Sequence, residues 1–446
     1  MNIKNLLNSD NHWVFLQEES EHKLRGQINI SFNCFRRPLK RDDRILIGVF
    51  VGLMISMAWY SGVLWHALLG IPVLVSSLWI CQPQRLWLKM VHGFLLGIFW
   101  MVSVVGLGQW VKAYLLQVYL VPTNSMEQTI IPGDRVLVCK WIYGARRFNA
   151  QGSKQLRGTG QVRRGEIVVF HAPEPSDDFA APAAQTQAEW SARNSGDIPC
   201  RTPFVKRCVA LPGDIVEVRE SVLRVNAIVQ QPPATAVFRY LYFFSDSLST
   251  NKAAAWLRGV RESMQVKRFP ARNMLETYLT HQQADSLLVP ASTEHHLSYS
   301  VKPNTIVYPH HDSVLWNLNR WGPMWIPRKG DSILLRHENV NLYAPLIELH
   351  EGHRVSWKDS LALVDEVPQR YYVFTQDYYF MMGDNRMESR DSRILGPIPD
   401  NHIIGRATHI AWSLRATPDV DNPAVGEVQP PSSARFRWSR LLKALK

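Results

Sequence analysis

A chain of 446 residues, 46% of them hydrophobic, has room for a large core, which excludes a peptide or a small scaffold held together by disulfides. Its formal net charge of +12 would suit a nucleic-acid partner, but the sequence has no RNA- or DNA-binding motif. The five cysteines, Cys34, Cys81, Cys139, Cys200 and Cys208, are odd in number and unevenly spaced, unlike a disulfide framework or a paired C-x-x-C zinc site. They read mostly as packed thiols, with a single bridge involving Cys200 and Cys208 compatible with an oxidising compartment.

Residues 1–44 are polar and mixed in charge, apart from the cluster Trp13-Val14-Phe15-Leu16, and read as a tail. No apolar core lies near the start, so no cleavable signal peptide is expected. From Ile45 to Cys81 there is no Asp, Glu, Lys or Arg, a run too long for one comfortable membrane span and sufficient for two short ones with a turn at Tyr60-Ser61-Gly62. A second uncharged run, Met90 to Val111, has the length of one spanning helix. Buried core helices would also be apolar, but runs this long without a polar face are uncommon in soluble folds. Arg36, Arg37, Lys40, Arg41 and Arg44 precede the first run, and Arg85 and Lys89 lie in the connection before the last. The positive-inside bias places both groups in the cytoplasm, and three spans then put everything beyond Trp110 outside.

Beyond Lys112 the pattern changes to short β-branched or aromatic runs. Arg135-Val136-Leu137-Val138, Glu166-Ile167-Val168-Val169-Phe170, Ile215-Val216-Glu217-Val218 and Tyr371-Tyr372-Val373-Phe374 are separated by Pro-Gly-Asp or Arg-Gly signals, which predicts a mainly β domain. Residues 172–200, rich in Ala, Pro, Gln and Ser, read as a surface loop. Residues 227–370 read as a long α+β insertion with a helical pattern near Lys252 to Met264.

Three islands stand out: Pro122-Thr123-Asn124-Ser125-Met126 running on to Pro132-Gly133-Asp134, Phe204-Val205-Lys206-Arg207-Cys208 running on to Pro212-Gly213-Asp214, and Met382-Gly383-Asp384-Asn385-Arg386 running on to Ser389-Arg390-Asp391-Ser392-Arg393. A serine hydroxyl needs a base to become a nucleophile, and a lysine serves if an apolar setting lowers its pKa. Lys206 has that setting, between Phe204-Val205 and Cys208-Val209-Ala210-Leu211, while Arg207 on the other strand face is expected to stay solvated.

These islands, with Arg164 to Phe170 and Gly405-Arg406-Ala407 in the order expected, resemble the type I signal peptidases, membrane-anchored Ser-Lys proteases. The resemblance runs from about Leu116 to the C-terminus, more loosely in the insertion. It implies Ser125 as nucleophile and Lys206 as general base. It assigns Thr123 to the oxyanion together with the Ser125 N–H, Ser389 to the orientation of the lysine, and Asp391 and Arg393 to a supporting ion pair. Val121, Pro122, Phe204 and Val205 would line pockets for small substrate side chains. Asn124, Glu127, Met387, Glu388 and Arg390 depart from the family's common pattern without removing a catalytic group.

The implied organisation is a cytoplasmic tail (1–44), three transmembrane helices (about 45–61, 63–81 and 90–111), a catalytic β domain with a coiled, barrel-like sheet (112–226 and 371–446) and an inserted cap (227–370). The implied partners are signal-peptide-bearing preproteins, the lipid bilayer and the vicinity of the secretion translocon, with no nucleic acid and no cofactor. The implied location is the cytoplasmic (inner) membrane, with the catalytic domain on its outer side. About 15 residues separate Trp110 from Ser125, and at roughly 3.5 Å per residue they would tether the serine near the membrane face. Two other readings remain open: a catalytically inactive, membrane-tethered binding protein of the same fold, and a processing protease dedicated to one precursor class. His350-Glu351-Gly352-His353 has the wrong spacing for a helical zinc motif and His310-His311 lacks further ligands, so no metal is expected. The end of the chain, Arg435 to Leu442, has the basic and apolar mixture of an amphipathic surface helix, but it also resembles the closing strand of the family's catalytic domain, which is the reading preferred for Arg435 to Arg440.

Overall fold

The computed structural model describes residues 105–149, 152–173, 202–260, 266–286, 294–297, 307–311, 313–358, 361–415 and 435–445. The expected tail, the expected 172–200 loop from residue 174 on and the expected spans up to residue 104 lie outside them. Residues 105–114 are helical, and among the described residues no helix is long and apolar enough to cross a membrane. The segment Ala113–Lys446 forms one unit.

Its backbone is an antiparallel sheet of nine strands. Seven follow one another in the order Leu116–Leu120, Asp134–Cys139, Ile403–Arg415, Ile167–His171, Pro203–Ala210, Tyr378–Met382 and Ile398–Pro399, and the short strands Arg435–Phe436 and Lys443–Ala444 also pair with Ile403–Arg415. The alternating burial of Asp134–Cys139 is that of a strand with one face inward. Pro203–Ala210 does not alternate: from Val205 on every residue is buried. The reason is cover on both faces, by Met126, Ile130, Val136 and Val138 on one side and by Tyr143, Phe170, Met381 and Leu395 on the other. Register shifts between Arg135 and Val136, Leu137 and Val138, Ile403 and Gly405, and Phe380 and Met381 bend the strands and curl the sheet into a half-barrel.

The repeated Pro-Gly-Asp word folds into the same turn twice. Gly133 and Gly213 take φ of 89° and 92°, where a side chain is strained. Each following Asp accepts a backbone N–H from three residues earlier, Ile131 to Asp134 at 2.9 Å and Leu211 to Asp214 at 2.7 Å.

Two further sheets extend this frame. Ile215–Arg219, Val222–Val225 and Ile228–Val229 pair in succession, with Trp321–Trp325 against the first, and their core joins Val216 and Val218 to Trp321, Ile326, Tyr343, Phe374 and Phe380. Within the insertion, the strands Val266–Phe269, Met274–Leu279, Phe238–Phe243 and Glu294–Leu297 form a sheet under the helix Ser247–Val260, with a core of Phe238, Tyr240, Tyr242, Ala253, Ala254, Leu257, Leu275 and Leu279. This helix begins five residues before the apolar pattern suggested: its first turn is polar, and Thr250 bonds back to the Asp246 carbonyl.

Leu346 and Ile347 lie inside a helix, Val340–His350, that ends at Glu351. The Glu351 carboxylate accepts from Tyr372, Thr375 and Tyr378, which makes that histidine-flanked segment a packing joint. Cys139 and Cys208 are free thiols, so Cys208 is not bridged. The chain end is the closing-strand alternative, with a single tight turn, Trp438–Arg440, between its two short strands.

Candidate active site

Ser125 sits in a loop closed at its base by the sheet. Val121 N–H donates to the Asp134 carbonyl at 2.9 Å and Gly133 N–H to the Val121 carbonyl at 3.0 Å, so the ladder continues past Leu120 and pinches residues 122–132 into a projection. Inside it, the Thr129 and Ile130 N–H groups return to the Met126 carbonyl, forming one helical turn. Met126 and Ile130, both fully buried, anchor that turn in the core beside the serine. The third island grips it from outside: Asn385 N–H donates to the Ser125 carbonyl at 3.0 Å and Asn385 Nδ2 to the Asn124 carbonyl at 3.3 Å. From the chain end, Arg440 donates to both Asp134 oxygens, at 2.9 and 2.5 Å, and to the Thr129 carbonyl at 3.1 Å.

Lys206 comes from the strand Pro203–Ala210, opposite Val168. Its Nζ donates to Ser125 Oγ at 2.6 Å and to the Val205 carbonyl at 3.0 Å, and lies 5.5 Å from the centre of the Phe204 ring. The residue is 3% exposed and Ser125 is 6% exposed. Burial lowers the amine's pKa from 10.5 to about 8, against an opposing pull from the carboxylates of Asp391 and Asp384. A neutral amine within hydrogen-bond reach of a hydroxyl is the arrangement general-base catalysis requires.

Two buried ion pairs frame this contact. Arg393 donates through Nε and Nη2 to the two oxygens of Asp391 at 2.9 and 2.8 Å, while Gly383 N–H donates to the same carboxylate at 3.0 Å. Burial alone would raise the Asp391 pKa; Arg393 and these hydrogen bonds outweigh it and hold the carboxyl below its usual range. The second pair corrects an expectation. Arg207 is buried, not solvated, and donates to Asp384 through Nε at 2.9 Å and Nη2 at 2.7 Å. Its strand is covered on both faces, so the alternation that would have put it in water does not apply. Thr129 Oγ1 also donates to Asp384, at 2.5 Å, which ties the first island to the other two.

The other expected site residues lie around this pair with uneven engagement. Thr123 is exposed, its Oγ1 3.4 Å from Ser125 Oγ. Ser389 is buried beside Gly383, where a Cβ would come within 2.1 Å of Ser389 Oγ and 2.6 Å of the Ser125 carbonyl. Its hydroxyl has no hydrogen-bond partner, so Ser389 does not bond to Lys206 in this structure. Val121 and Val205 are buried in the same core as Met126; Phe204 is half-buried and Pro122 exposed. A cavity of 1040 Å³ lies elsewhere, lined by Tyr143, Gly158, Pro212, Lys329, Asp377 and Asp400 among others, and includes none of these residues. Among the described residues no cluster of His, Cys, Asp and Glu is arranged to hold a metal ion.

Sequence reasoning missed the roles of Asp384, Thr129, Asn385 and Arg440. Asp384 and Asn385 stood within the third island; what no single sequence displays is that they close contacts with partners 177 and 260 residues away.

Comparison with known proteins gives the same family as the islands. The model of the family described as signal peptidase, peptidase S26, matches residues 95–269 and 329–412, more than half of the chain. The chain is similar to signal peptidase I of Haemophilus influenzae, with 23% identity over 325 residues that cover 72% of this chain and 69% of the relative. It is similar to signal peptidase I of Buchnera aphidicola subsp. Schizaphis graminum, with 20% identity over 304 residues, 68% of this chain and 70% of the relative. A shorter match to signal peptidase I of Aquifex aeolicus reaches 44% over 55 residues, 12% of this chain and 22% of that one. The chain therefore belongs to the signal peptidase family, peptidase S26, and is a serine endopeptidase of the signal peptidase I type.

Proposed function

We propose that the protein removes signal peptides from exported preproteins at the outer face of the cytoplasmic membrane, using Ser125 and Lys206 as a catalytic dyad. The observation that carries this reading is the 2.6 Å contact between a buried lysine amine of lowered pKa and a serine hydroxyl. Ser125 Oγ attacks the scissile carbonyl carbon while its proton passes to Lys206 Nζ. The resulting oxyanion is held by the Ser125 N–H and the Thr123 hydroxyl. Collapse breaks the C–N bond, Lys206 returns the proton to the leaving amine, and the mature N-terminus departs. The signal peptide remains as an ester on Ser125 until water, deprotonated by Lys206, hydrolyses it.

Asp391 and Arg393 stiffen the third island around this contact. Ser389 orients Lys206 in the reacting enzyme, a use for a buried hydroxyl that is otherwise unpaired. Val121, Pro122, Phe204 and Val205 shape the clefts for small side chains. The uncharged runs from Ile45 to Cys81 and Met90 to Val111 support a multi-pass anchor, and the short link from Trp110 to Ser125 supports a site at membrane level, where an apolar signal peptide presents its end; the vicinity of the secretion translocon is the place the resemblance implies.

The test is sequencing of exported-protein N-termini after depletion of the protein. Retained signal peptides across many exported proteins are the expected result. Retention on a single precursor class would replace general processing by a dedicated protease, and unchanged N-termini would refute the proposal.

A further inference from the structure

The catalytic reading gives no role to the insertion expected over residues 227–370, whose first stretch carries Thr235. Its entry is nevertheless built into the site. After Pro232-Pro233 the chain turns, with Ala236 N–H donating to the Pro233 carbonyl at 2.8 Å, and presents Val237, fully buried, as a parallel bridge against Asn385. Val237 N–H donates to the Asp384 carbonyl at 2.8 Å, and Arg386 N–H donates to the Val237 carbonyl at 3.0 Å. Asn385, between those two partners, directs its own N–H to the Ser125 carbonyl. One short segment of the third island is thus held by the module on one side and holds the serine on the other.

The side chain of Thr235 adds a second connection. Its Oγ1 lies 2.6 Å from Thr129 Oγ1 and 3.4 Å from Asp384 Oδ2. Thr129 belongs to the Ser125 turn, and Asp384 is the partner of Arg207, next to Lys206. Thr235 therefore reaches the first and third islands directly and the second through one ion pair. The strand that follows repeats the contact with aromatic packing: the Arg386 guanidinium lies 5.9 Å from the Phe238 ring centre, and Phe238 stacks on His281 at 4.4 Å.

We infer that Thr235 is a positioning residue, through which the inserted module fixes the Ser125 turn and the Asp384–Arg207 pair in register for the reaction. The inference rests on the Ser-Lys reading. A hydrogen bond that acts only by alignment is lost from kcat, with KM unchanged, when the hydroxyl is removed.

The experiment uses the full chain in detergent and a peptide spanning a signal-peptide cleavage site, with kcat, KM and thermal midpoint measured for Thr235→Val and Thr235→Ser. Leu257→Ala, in the module core on the helix Ser247–Val260, is the stability control. Thr235→Val should lower kcat roughly fivefold to tenfold, the scale of one aligned hydrogen bond, at constant KM, and Thr235→Ser should restore it. Leu257→Ala should lower the midpoint and leave kcat in place. A wild-type kcat in Thr235→Val, a change in KM alone, an unrescued Thr235→Ser, or a kcat loss equalled by Leu257→Ala would each overturn the inference while an inactive Ser125→Ala protein leaves the dyad standing. An active Ser125→Ala protein would remove the dyad and the inference with it.

Discussion

Burying Lys206 should weaken the fold, and by an amount that depends on pH in a defined direction. The amine's pKa falls from 10.5 in the unfolded chain to about 8 in the fully enclosed site. A group whose pKa is depressed by folding binds more protons in the unfolded state between those two values, so wild-type stability rises with pH across that window. At about 1.4 kcal/mol per pKa unit, the penalty is about 3 kcal/mol, present in full below pH 8 and relieved toward pH 10.5. Lys206→Met keeps the apolar length and removes the titration. It also removes the donations to Ser125 Oγ and the Val205 carbonyl, whose loss costs about 1 kcal/mol each. The variant should therefore be inactive, yet more stable than wild type at neutral pH by about 1 kcal/mol, an advantage that reverses on the alkaline side. The assay is urea unfolding of both full-length proteins in detergent across that pH range, read as the difference in midpoint, so that titrations common to the two chains cancel. A difference independent of pH would refute the argument, because the desolvation of Lys206 would then not be a property of the folded state.

Three further outcomes follow from the site geometry. The kcat/KM of the wild type should rise with pH through an apparent pKa of about 8 as Lys206 loses its proton; a profile flat across neutral and mildly alkaline pH would exclude it as the base. Gly383→Ala should abolish cleavage, and adding Ser389→Ala should not rescue it, because the new Cβ still meets the Ser125 carbonyl at 2.6 Å. Recovery in the double variant would show that the Ser389 side chain alone sets the tolerance. Arg440→Ala should destabilise the protein by roughly 3 kcal/mol, since it removes the ion-pair contact of the fully buried Asp134 carboxylate and leaves Arg437 as a more distant charge; a thermal midpoint within error of wild type would contradict that clamp.

The sequence carried the fold where local chemistry dominates and lost it where distant cover decides. The runs Arg135 to Val138 and Ile215 to Val218 lie inside observed strands, because β-branched side chains between Pro-Gly-Asp turns leave few alternatives. The solvation expected for Arg207 failed because strand alternation reports one covered face, and this strand has two. Ser125 and Lys206 stood out as chemistry within a recurring motif, and the structure places them in contact across 81 positions. Thr235 was invisible: it lies in a Pro- and Ala-rich stretch early in the insertion, and only the folded chain brings its hydroxyl to Thr129 and Asp384. Ser389 shows the converse. Its place in the third island was legible, but its hydroxyl is without a partner here, and the role proposed for it requires a contact that this structure does not contain.

The dyad itself is tested most directly by incubating one purified preprotein with the wild type, Ser125→Ala and Lys206→Ala in the same detergent and sequencing the N-terminus of the product. A single new N-terminus from the wild type, and intact preprotein with both variants, is the predicted result. Cleavage at the wild-type rate by either variant would contradict the account.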